Sequence, residues 1–402
     1  MVLRSSRWSG QPSPHANPSD TTRRDLALDA IRGIFIVILT VDHMHGLIVK
    51  LTWQTFGFVT VLPGFLFISG YIVARAYGGA ILKHGILVGI RRIFYRVIQI
   101  YIWHIASVTV VIGGTIFLLP YVEHLHEGIA NLETFLSAAL LTELSVYFNI
   151  IPLYILFLVM AGFLLIFCLK SPGLVALIGL SVWLASDIIP QELHPWGESA
   201  LLKPLYWQAV FTLGLSLGLF HMQGRVVSLP AWVYGLAAVL AVLFFCIRWN
   251  VIDVGSVSLR HALFHRDRLE IGRLLNILCV FLLFSLILPT LRPWLRCRKV
   301  LVMIGQNSLI AFSLQIVIVY YLKVVRGGLA FHEHPWVQAL ADLDVNWVFL
   351  LYLLVFDILS IALVILATAL AVRTMKAGRA LSWRVRRVGR AAQPGPAGSG
   401  DD

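Results

Sequence analysis

Residues 28–49 read LDAIRGIFIVILTVDHMHGLIV, an apolar stretch of about one membrane-helix length that carries several ionisable side chains. A helix of about 20 residues crosses the roughly 30 Å hydrocarbon core of a bilayer. Ionisable groups at that depth cost several kcal/mol unless they are paired or face a cavity, so each is a candidate functional residue. The ionisable residues of this stretch are Asp29, Arg32, Asp42, His43 and His45.

The apolar signal recurs along the chain, which has 402 residues, 59% of them apolar and 13% charged. This composition and a mean hydropathy of +0.84 exclude a soluble globular protein and a mainly disordered one. The sequence therefore predicts an all-α, polytopic integral membrane protein with about ten transmembrane helices. The expected spans lie near 28–48, 58–77, 94–118, 147–168, 173–189, 204–220, 230–248, 271–290, 303–325 and 346–372.

The net charge of +12 does not indicate nucleic-acid binding, because the basic residues lie at the ends of the apolar spans. Membrane proteins concentrate Lys and Arg in cytosolic loops. Placing the N-terminus in the cytosol puts most of the 32 Lys and Arg residues on that side. Both termini are then cytosolic.

Three segments follow from this pattern. Residues 1–24 are predicted to be a disordered basic cytosolic tail, since they lack the apolar core of a cleavable signal peptide. Residues 25–375 form the transmembrane domain, and 376–402 form a second basic, disordered cytosolic tail. No metal site is expected. The four cysteines are scattered without CxxC spacing, and the histidine pairs in the loops have no further residues at a suitable spacing to complete a metal coordination sphere.

Arg32 and His43 lie on one face of the first helix. Eleven residues separate them, which leaves an angle of about 20° after whole turns and a distance of about 16 Å along the axis. Asp29 precedes Arg32 by three residues and shares that face. The helix thus presents a cation towards the cytosol and an imidazole nearer the outside.

This pair suits proton transfer beside a bound anion. Histidine takes and returns a proton near neutral pH, and arginine binds a phosphate or carboxylate. Asp42 is adjacent to His43 but about 100° away around the helix, so an acid from another helix is an equal candidate for orienting the imidazole. A structural interpretation has equal weight. In it, Asp29 pairs with Arg32, and His43 forms a hydrogen bond with a neighbouring helix.

The third span carries a second polar stripe. Helical spacing places on one face Arg92, Arg96, Gln99 and Trp103, with Tyr101 and His104 on its flank. Arginines at the cytosolic end of a span are ordinary positive-inside anchors, whereas a histidine well inside a span is not explained that way. Weaker polar signals, for which helix packing is the favoured interpretation, are Ser69, Tyr71, Tyr154, Ser308 and Asp357.

The motif Leu28-Asp29-x-x-Arg32-Gly33 followed by Asp42-His43 resembles the start of OpgC-type proteins, the glucan succinyltransferase branch of the acyltransferase-3 family of membrane acyltransferases. The interval from Arg32 to His43 matches that family's Arg-x10-His motif. Further matches, in the expected order, are Phe67-Ile-Ser69-Gly70-Tyr71-Ile with Tyr77-Gly78, Arg96 with Tyr101-x-x-His104, Ile151-Pro152-Leu153-Tyr154, Trp207-Gln208 with Leu213-Gly214, and Gly305-x-x-Ser308-Leu309.

The resemblance implies an enzyme of the bacterial inner membrane that moves an acyl group, succinyl, from cytosolic acyl-CoA to hydroxyls of a periplasmic glucan. Succinyl-CoA is then a co-substrate, and no cofactor is bound permanently. His43 corresponds to the catalytic histidine and Arg32 to its donor-binding partner. The expected site comprises catalytic His43, Asp29 and Asp42, donor-binding Arg32, Arg92 and Arg96, and the pocket residues Ser69, Tyr71, Tyr101, His104, Tyr154 and Ser308.

A proton-coupled transporter or flippase is the alternative, because intramembrane Asp, Arg and His sets also form proton pathways. No inverted repeat is visible, and the charges concentrate on the first and third spans, which disfavours transport. Acyl transfer by purified protein in detergent, where transport has no meaning, distinguishes the two. The expected partners are acyl-CoA, the glucan acceptor and the lipid bilayer, with no nucleic acid, and the sequence sets no oligomeric state.

Overall fold

The computed structural model of the chain describes residues 25–118, 132–142, 148–190, 194, 196, 202–225, 227–252, 257–328 and 346–391. Every regular element in this part of the chain is a helix, which confirms the all-α prediction. The helices are α1 (Leu26–Met44), α2 (Val49–Thr52), α3 (Val61–Val73), α4 (Gly79–His84), α5 (Ile86–Val108), α6 (Gly114–Leu118), α7 (Leu132–Leu140), α8 (Ile150–Cys168), α9 (Pro172–Ala185), α10 (Pro204–Met222), α11 (Ala231–Arg248), α12 (Val257–Phe264), α13 (Ile271–Cys297), α14 (Lys299–Gln306), α15 (Ser308–Gly328) and α16 (Asn346–Ala391).

Within the described residues, 7 helical segments are long and apolar enough to cross a membrane, which supports a multi-pass membrane protein. Two of them are composite, because the π-helical turns Ala74–Gly78 and Thr109–Gly113 join α3 to α4 and α5 to α6. The 7 segments are Val61–His84, Ile86–Leu118, Ile150–Cys168, Ala231–Arg248, Ile271–Cys297, Ser308–Arg326 and Leu350–Gly378.

The other three predicted spans form α1, α9 and α10, which differ from those segments for physical reasons. α1 contains the charged residues described above, and α9 has 14 residues, too few for the roughly 30 Å core of a bilayer. α10 contains polar residues that include Gln208 and Thr212. Because α1 and α10 are largely covered by other helices, neither needs an apolar surface all round. The count of ten spans and the sides of the termini stay predictions.

α1 lies among α3, α13, α14, α15 and α16. Its N-terminus is capped by Asp25, which accepts a hydrogen bond from the backbone N–H of Ala27 at 3.0 Å. The same carboxylate pairs with Arg292 of α13 at 2.5 Å. The start of α1 is therefore held by its own cap and by a neighbouring helix.

The C-terminal end of α1 is held from two sides. The helix ends at Met44, and the capping residue His45 has a φ of 53°, in the left-handed region. Arg326 of α15 donates a hydrogen bond to the carbonyl of Met44 at 2.7 Å, and Asp357 of α16 accepts one from the backbone N–H of Ile48 at 2.7 Å. Asp357 thus has the helix-pairing role that its sequence context favours.

Two glycines permit backbone contact between α1 and α14. A Cβ atom at Gly33 would meet the carbonyl of Leu301, and one at Gly305 would meet the carbonyl of Asp29. Small residues at such reciprocal positions let membrane helices pack closely. The glycine of the Gly305-x-x-Ser308 motif therefore positions α14, and with it the start of α15, against α1.

A second reciprocal pair joins α3 to α10. A Cβ atom at Gly70 would meet the carbonyl of Phe211, and one at Gly214 would meet the carbonyl of Phe67. Both glycines belong to motifs singled out in the sequence. Their role in the structure is close packing of the two helices.

We expect Gly305→Ala to destabilise the protein, because the added methyl group would collide with the backbone of α1. Overpacking of this kind costs about 1–3 kcal/mol. Thermal unfolding of the detergent-purified variant should therefore occur at a lower temperature than that of the wild type. Gly235→Ala is the control, since a Cβ atom there meets nothing within 4 Å. Equal unfolding temperatures for the two variants would contradict the close α1–α14 contact.

The last helix is longer than the sequence indicated. α16 continues as far as Ala391, into the segment 376–402 that we expected to be a disordered tail. This extension is rich in Arg and Ala, both of which favour helix formation. The boundaries of the transmembrane domain stay predictions, and residues 1–24 lie outside the described part of the chain.

Candidate active site

Arg32 is buried where α1 meets α15. Its side chain is 9% exposed, and Nη2 donates a hydrogen bond to Oγ of Ser308, the first residue of α15. The close contact between α1 and α14 brings the α14–α15 junction to this position. The structure therefore joins two predicted site residues that are far apart in the sequence.

A cavity of about 30 Å³ lies beside this pair. Four predicted site residues line it: Arg32, Arg96, Tyr154 and Ser308. The remaining lining is apolar and consists of Phe65, Ile100, Ile150, Ile151, Leu309 and Phe312. This space holds a group of about the size of one or two waters, so a larger ligand would extend beyond it.

Arg96 is the second arginine that lines the cavity. It is half-buried, and its Nη1 donates a hydrogen bond to Oε1 of Gln99 at 2.7 Å. Two guanidinium groups on a small, mainly apolar cavity favour a phosphate or carboxylate as the bound group. Arg92, one turn earlier, is exposed and does not line the cavity, which fits an anchor at the membrane surface.

His43 is half-buried near the C-terminal end of α1. Its Nδ1 lies 2.7 Å from Nε2 of Gln315, a fully buried residue on α15. Its own Nε2 makes no hydrogen bond with any residue that the structure describes. A carboxamide can bind either neutral tautomer, because its NH₂ donates to a bare Nδ1 and its oxygen accepts from a protonated one. Gln315 therefore orients the imidazole and leaves Nε2 available for proton exchange.

α15 contacts both functional residues of α1. Ser308 and Gln315 are seven residues, or about two turns, apart and so lie on one face of α15. Because Ser308 binds Arg32 and Gln315 binds His43, the contacts follow the same order along both helices, which therefore run parallel. A parallel pair is what the predicted topology requires of the first and ninth spans.

Neither predicted acid is hydrogen bonded to the imidazole of His43 in the part of the chain that the structure describes. Asp42 is buried, and its Oδ1 accepts a hydrogen bond from the hydroxyl of Thr52 on α2 at 2.6 Å. Asp29 is buried near the opposite end of α1, one turn before Arg32. Within the described residues, an amide and not a carboxylate orients the imidazole, and the catalytic role of the two acids stays a prediction.

Ser69 and Tyr71 lie on α3 and do not line the Arg32 cavity. Ser69 is buried, and its Oγ has no hydrogen-bond partner among the described residues. The hydroxyl of Tyr71 lies 3.1 Å from Nδ1 of His221 and accepts a hydrogen bond from Arg75 at 3.3 Å. Tyr71 therefore belongs to a separate polar group, and Ser69 is buried outside the cavity lining.

Tyr101 and His104 join α5 to α7. The hydroxyl of Tyr101 donates a hydrogen bond to the carbonyl of Ala139 at 2.9 Å. Nε2 of His104, which is fully buried, lies 2.9 Å from the carbonyl of Ala138. Neither residue lines the cavity, and both contacts serve to fix α7.

Sequence reasoning missed Gln315, although a signal was present. An amide in the middle of an apolar span is costly unless it is hydrogen bonded, and Gln315 lies two turns after Ser308. Lys323 extends the same polar face, with Nζ at 3.3 Å from Nδ1 of His45. α15 thus offers polar partners along the length of α1.

These features define an all-helical, multi-pass membrane protein with an arginine and a histidine on one face of a central helix. Residues 24–358 match the model of a protein family described as OpgC protein. The chain therefore belongs to the OpgC family, as its motifs indicated. Membership suggests a glucan-modifying acyltransferase role and implies a transferase, and the family is bacterial. The same comparisons found no matching curated protein and no matching solved structure.

Proposed function

We propose that the protein is an O-acyltransferase of the bacterial inner membrane that moves a succinyl group from cytosolic succinyl-CoA to a hydroxyl of a periplasmic glucan. The observation that carries the proposal is the pair of contacts from α15, which hold Arg32 through Ser308 and His43 through Gln315. One helix face thus presents an anion-binding group and a proton-transfer group about 16 Å apart. Such a separation suits an elongated donor.

The cavity at Arg32 supports an anionic contact to the donor. Arg32 and Arg96 can bind a phosphate or carboxylate, and Tyr154 lines the same cavity. Because the cavity is small, the bulk of an acyl-CoA would remain on its cytosolic side. An extended pantetheine arm inserted past Arg32 would carry the thioester towards His43.

The chemistry at His43 is a proton transfer coupled to acyl transfer. Nε2 accepts the proton of the acceptor hydroxyl while the hydroxyl oxygen attacks the thioester carbonyl carbon. The carbon–sulfur bond then breaks, and the CoA thiolate takes the proton from the imidazolium. His43 returns to its neutral form, and Gln315 can bind Nδ1 in either neutral tautomer.

Direct transfer is favoured over an acyl-enzyme. A serine nucleophile needs a base within hydrogen-bonding reach. Among the described residues, no hydroxyl side chain is hydrogen bonded to His43, and Oγ of Ser69 has no hydrogen-bond partner. The acceptor hydroxyl is therefore the proposed nucleophile.

The test is acyl transfer by the full-length protein purified in detergent. Incubation with succinyl-CoA and a glucan should yield a succinylated glucan by mass spectrometry, with one free CoA thiol released per group transferred. Other acyl-CoA donors in parallel reactions define the acyl specificity. A folded protein that transfers no acyl group under any of these conditions would reject the enzyme and favour the transporter.

Gln315→Leu should lower kcat by roughly two- to tenfold, with little change in KM for acyl-CoA. This factor corresponds to the net free energy of one hydrogen bond. The reason is that the leucine cannot orient the imidazole of His43. Ser313→Ala is the matched control, since Ser313 is buried on the same helix and its Oγ has no partner among the described residues. Equal losses of kcat in both variants, or a change confined to KM, would contradict the role of Gln315.

A further inference from the structure

A strongly basic cavity of about 430 Å³ lies where α11, α12 and α13 meet, apart from the Arg32 site. Its volume is within the range of about 300–1,000 Å³ that is usual for small-molecule sites. Six basic residues line it: Arg248, Arg260, His261, His265, Arg266 and Arg273. Ordinary positive-inside anchors do not enclose a cavity, so this cluster needs another explanation.

Its positive charge is largely uncompensated within the described part of the chain. The one acidic lining residue there is Asp267, which pairs with Arg266 at 3.4 Å. Arg273 is 3% exposed and donates hydrogen bonds to the carbonyls of Phe58 at 2.6 Å and Phe264 at 3.0 Å. Carbonyl groups orient a guanidinium but leave its charge in place.

Arg260 is held in the same way. It donates hydrogen bonds to Oδ1 of Asn250 at 2.5 Å and to the carbonyl of Arg248 at 3.0 Å. Its guanidinium lies 5.7 Å from the centre of the Phe58 ring, which stacks on Phe264 with ring centres 3.9 Å apart. The guanidinium groups are therefore positioned before any ligand arrives.

Unused donors remain in this cavity. Nε of Arg248 is buried and has no hydrogen-bond partner among the described residues. Burial lowers the pKa of His265, nearby cations act in the same direction, and Asp267 opposes them. The lowered pKa favours the neutral form of His265, and the four arginines supply the permanent positive charge of the cavity. An oxyanion would supply the missing acceptors and the missing negative charge.

The cavity lies on the side of the molecule where α1 ends. Gln54 and Phe58, which follow α1 and α2 in the chain, form part of its wall. Trp249 is 49% exposed beside it, and exposed tryptophans of membrane proteins concentrate at the membrane surface. In the predicted topology this is the periplasmic surface, opposite to the cytosolic acyl-CoA.

We propose that this basic cavity binds a phosphate group presented from the periplasmic side, either on a phospholipid headgroup or on a phosphate ester in solution. A phosphate offers several oxygens and up to two negative charges, which match several forked guanidinium groups better than one carboxylate does. This site is separate from the acyl-transfer site, and it stands whether or not the proposed reaction is correct.

Binding is measured in two arms with the full-length protein. In detergent, inorganic phosphate and glycerol phosphate are titrated while tryptophan fluorescence is recorded, since Trp53 and Trp249 lie 5.8 Å from the guanidinium groups of Arg266 and Arg248. In nanodiscs of phosphatidylcholine with phosphatidylglycerol, native mass spectrometry identifies the lipid that remains bound after release. The variants are Arg248→Gln and Arg260→Gln, and the control is Arg268→Gln, an exposed neighbour that does not line the cavity.

A saturable response to phosphate or its ester identifies a soluble source, and selective retention of phosphatidylglycerol identifies a lipid source. In either case, each cavity variant should weaken binding about tenfold, and the control should leave it unchanged. Two cavity variants are used so that misfolding of one leaves the test intact. The absence of binding in both arms, or an equal weakening by Arg268→Gln, would overturn the proposal.

Discussion

His43→Gln should lower kcat for acyl transfer by roughly 10²–10⁴-fold, the range expected when a general base is lost. Glutamine keeps much of the volume and the hydrogen bonding of the imidazole but cannot take up a proton. Donor binding should persist, because Arg32 and its cavity lie at the other end of α1. Steady-state kinetics with succinyl-CoA and a glucan measure both quantities.

The acid side of the pH profile gives a second measure of the same role. Wild-type activity should fall on acidification, when the imidazole holds its proton and cannot act as a base. The residual activity of His43→Gln should lack this dependence. His45→Gln is the matched control, since His45 is exposed two residues further on and its Nδ1 faces Lys323. A His43→Gln variant that keeps substantial activity and the same acid fall would show that His43 is not the base.

Arg32→Ala should raise KM for acyl-CoA about ten- to a hundredfold. This factor corresponds to the free energy of a hydrogen bond to a charged group. Its kcat should change less, because His43 and Gln315 keep their contact. Arg32→Lys should recover part of the affinity, since lysine restores the charge without the forked geometry. Initial-rate measurements over a range of donor concentrations separate KM from kcat.

Arg91→Ala is the control for Arg32. Arg91 is an exposed arginine that bonds Tyr95 on its own helix and does not line the cavity, so its loss should leave KM nearly unchanged. A matching rise in KM for Arg91→Ala would indicate that donor binding depends on the overall positive charge of the protein and not on Arg32 in particular. If Arg32→Ala and His43→Gln instead reduce the amount of folded protein equally, the pair is structural.

The sequence sufficed for the arrangement within single helices. The shared face of Arg32 and His43 follows from helical periodicity alone, since both lie on α1. The convergence of Arg96, Tyr154 and Ser308 on Arg32 does not follow from periodicity, because these residues lie on three other helices. Their inclusion in the predicted site came from family motifs, and the structure brings them to one cavity.

Other features of the site depend on which helices pack against each other, and the sequence of a single helix does not determine its neighbours. Arg92 and Arg96 share a face of α5, yet only Arg96 lines the cavity, because α8 and α15 cover that end of the helix. Gln315 was open to prediction as a costly buried amide, but its partner His43 became identifiable only from the parallel packing of α1 and α15. Likewise, α1 and α10 can contain charged or polar residues because neighbouring helices cover them. Hydropathy alone does not show which helices are covered in this way.

The two reciprocal glycine contacts limit how the molecule can open. Backbone-to-backbone packing joins α1 to α14 and α3 to α10, and close-packed interfaces of this kind slide or separate less readily than those formed by long side chains. α1 and α3, which both line the Arg32 cavity, are each held by one of these contacts. The remaining lining comes from α15 with Ser308, and from α5 and α8 with Arg96 and Tyr154. α5 and α8 take no part in either reciprocal glycine contact. For a ligand larger than the present cavity, we therefore expect α5 and α8, which carry Arg96 and Tyr154, to move more readily than α1, which carries Arg32.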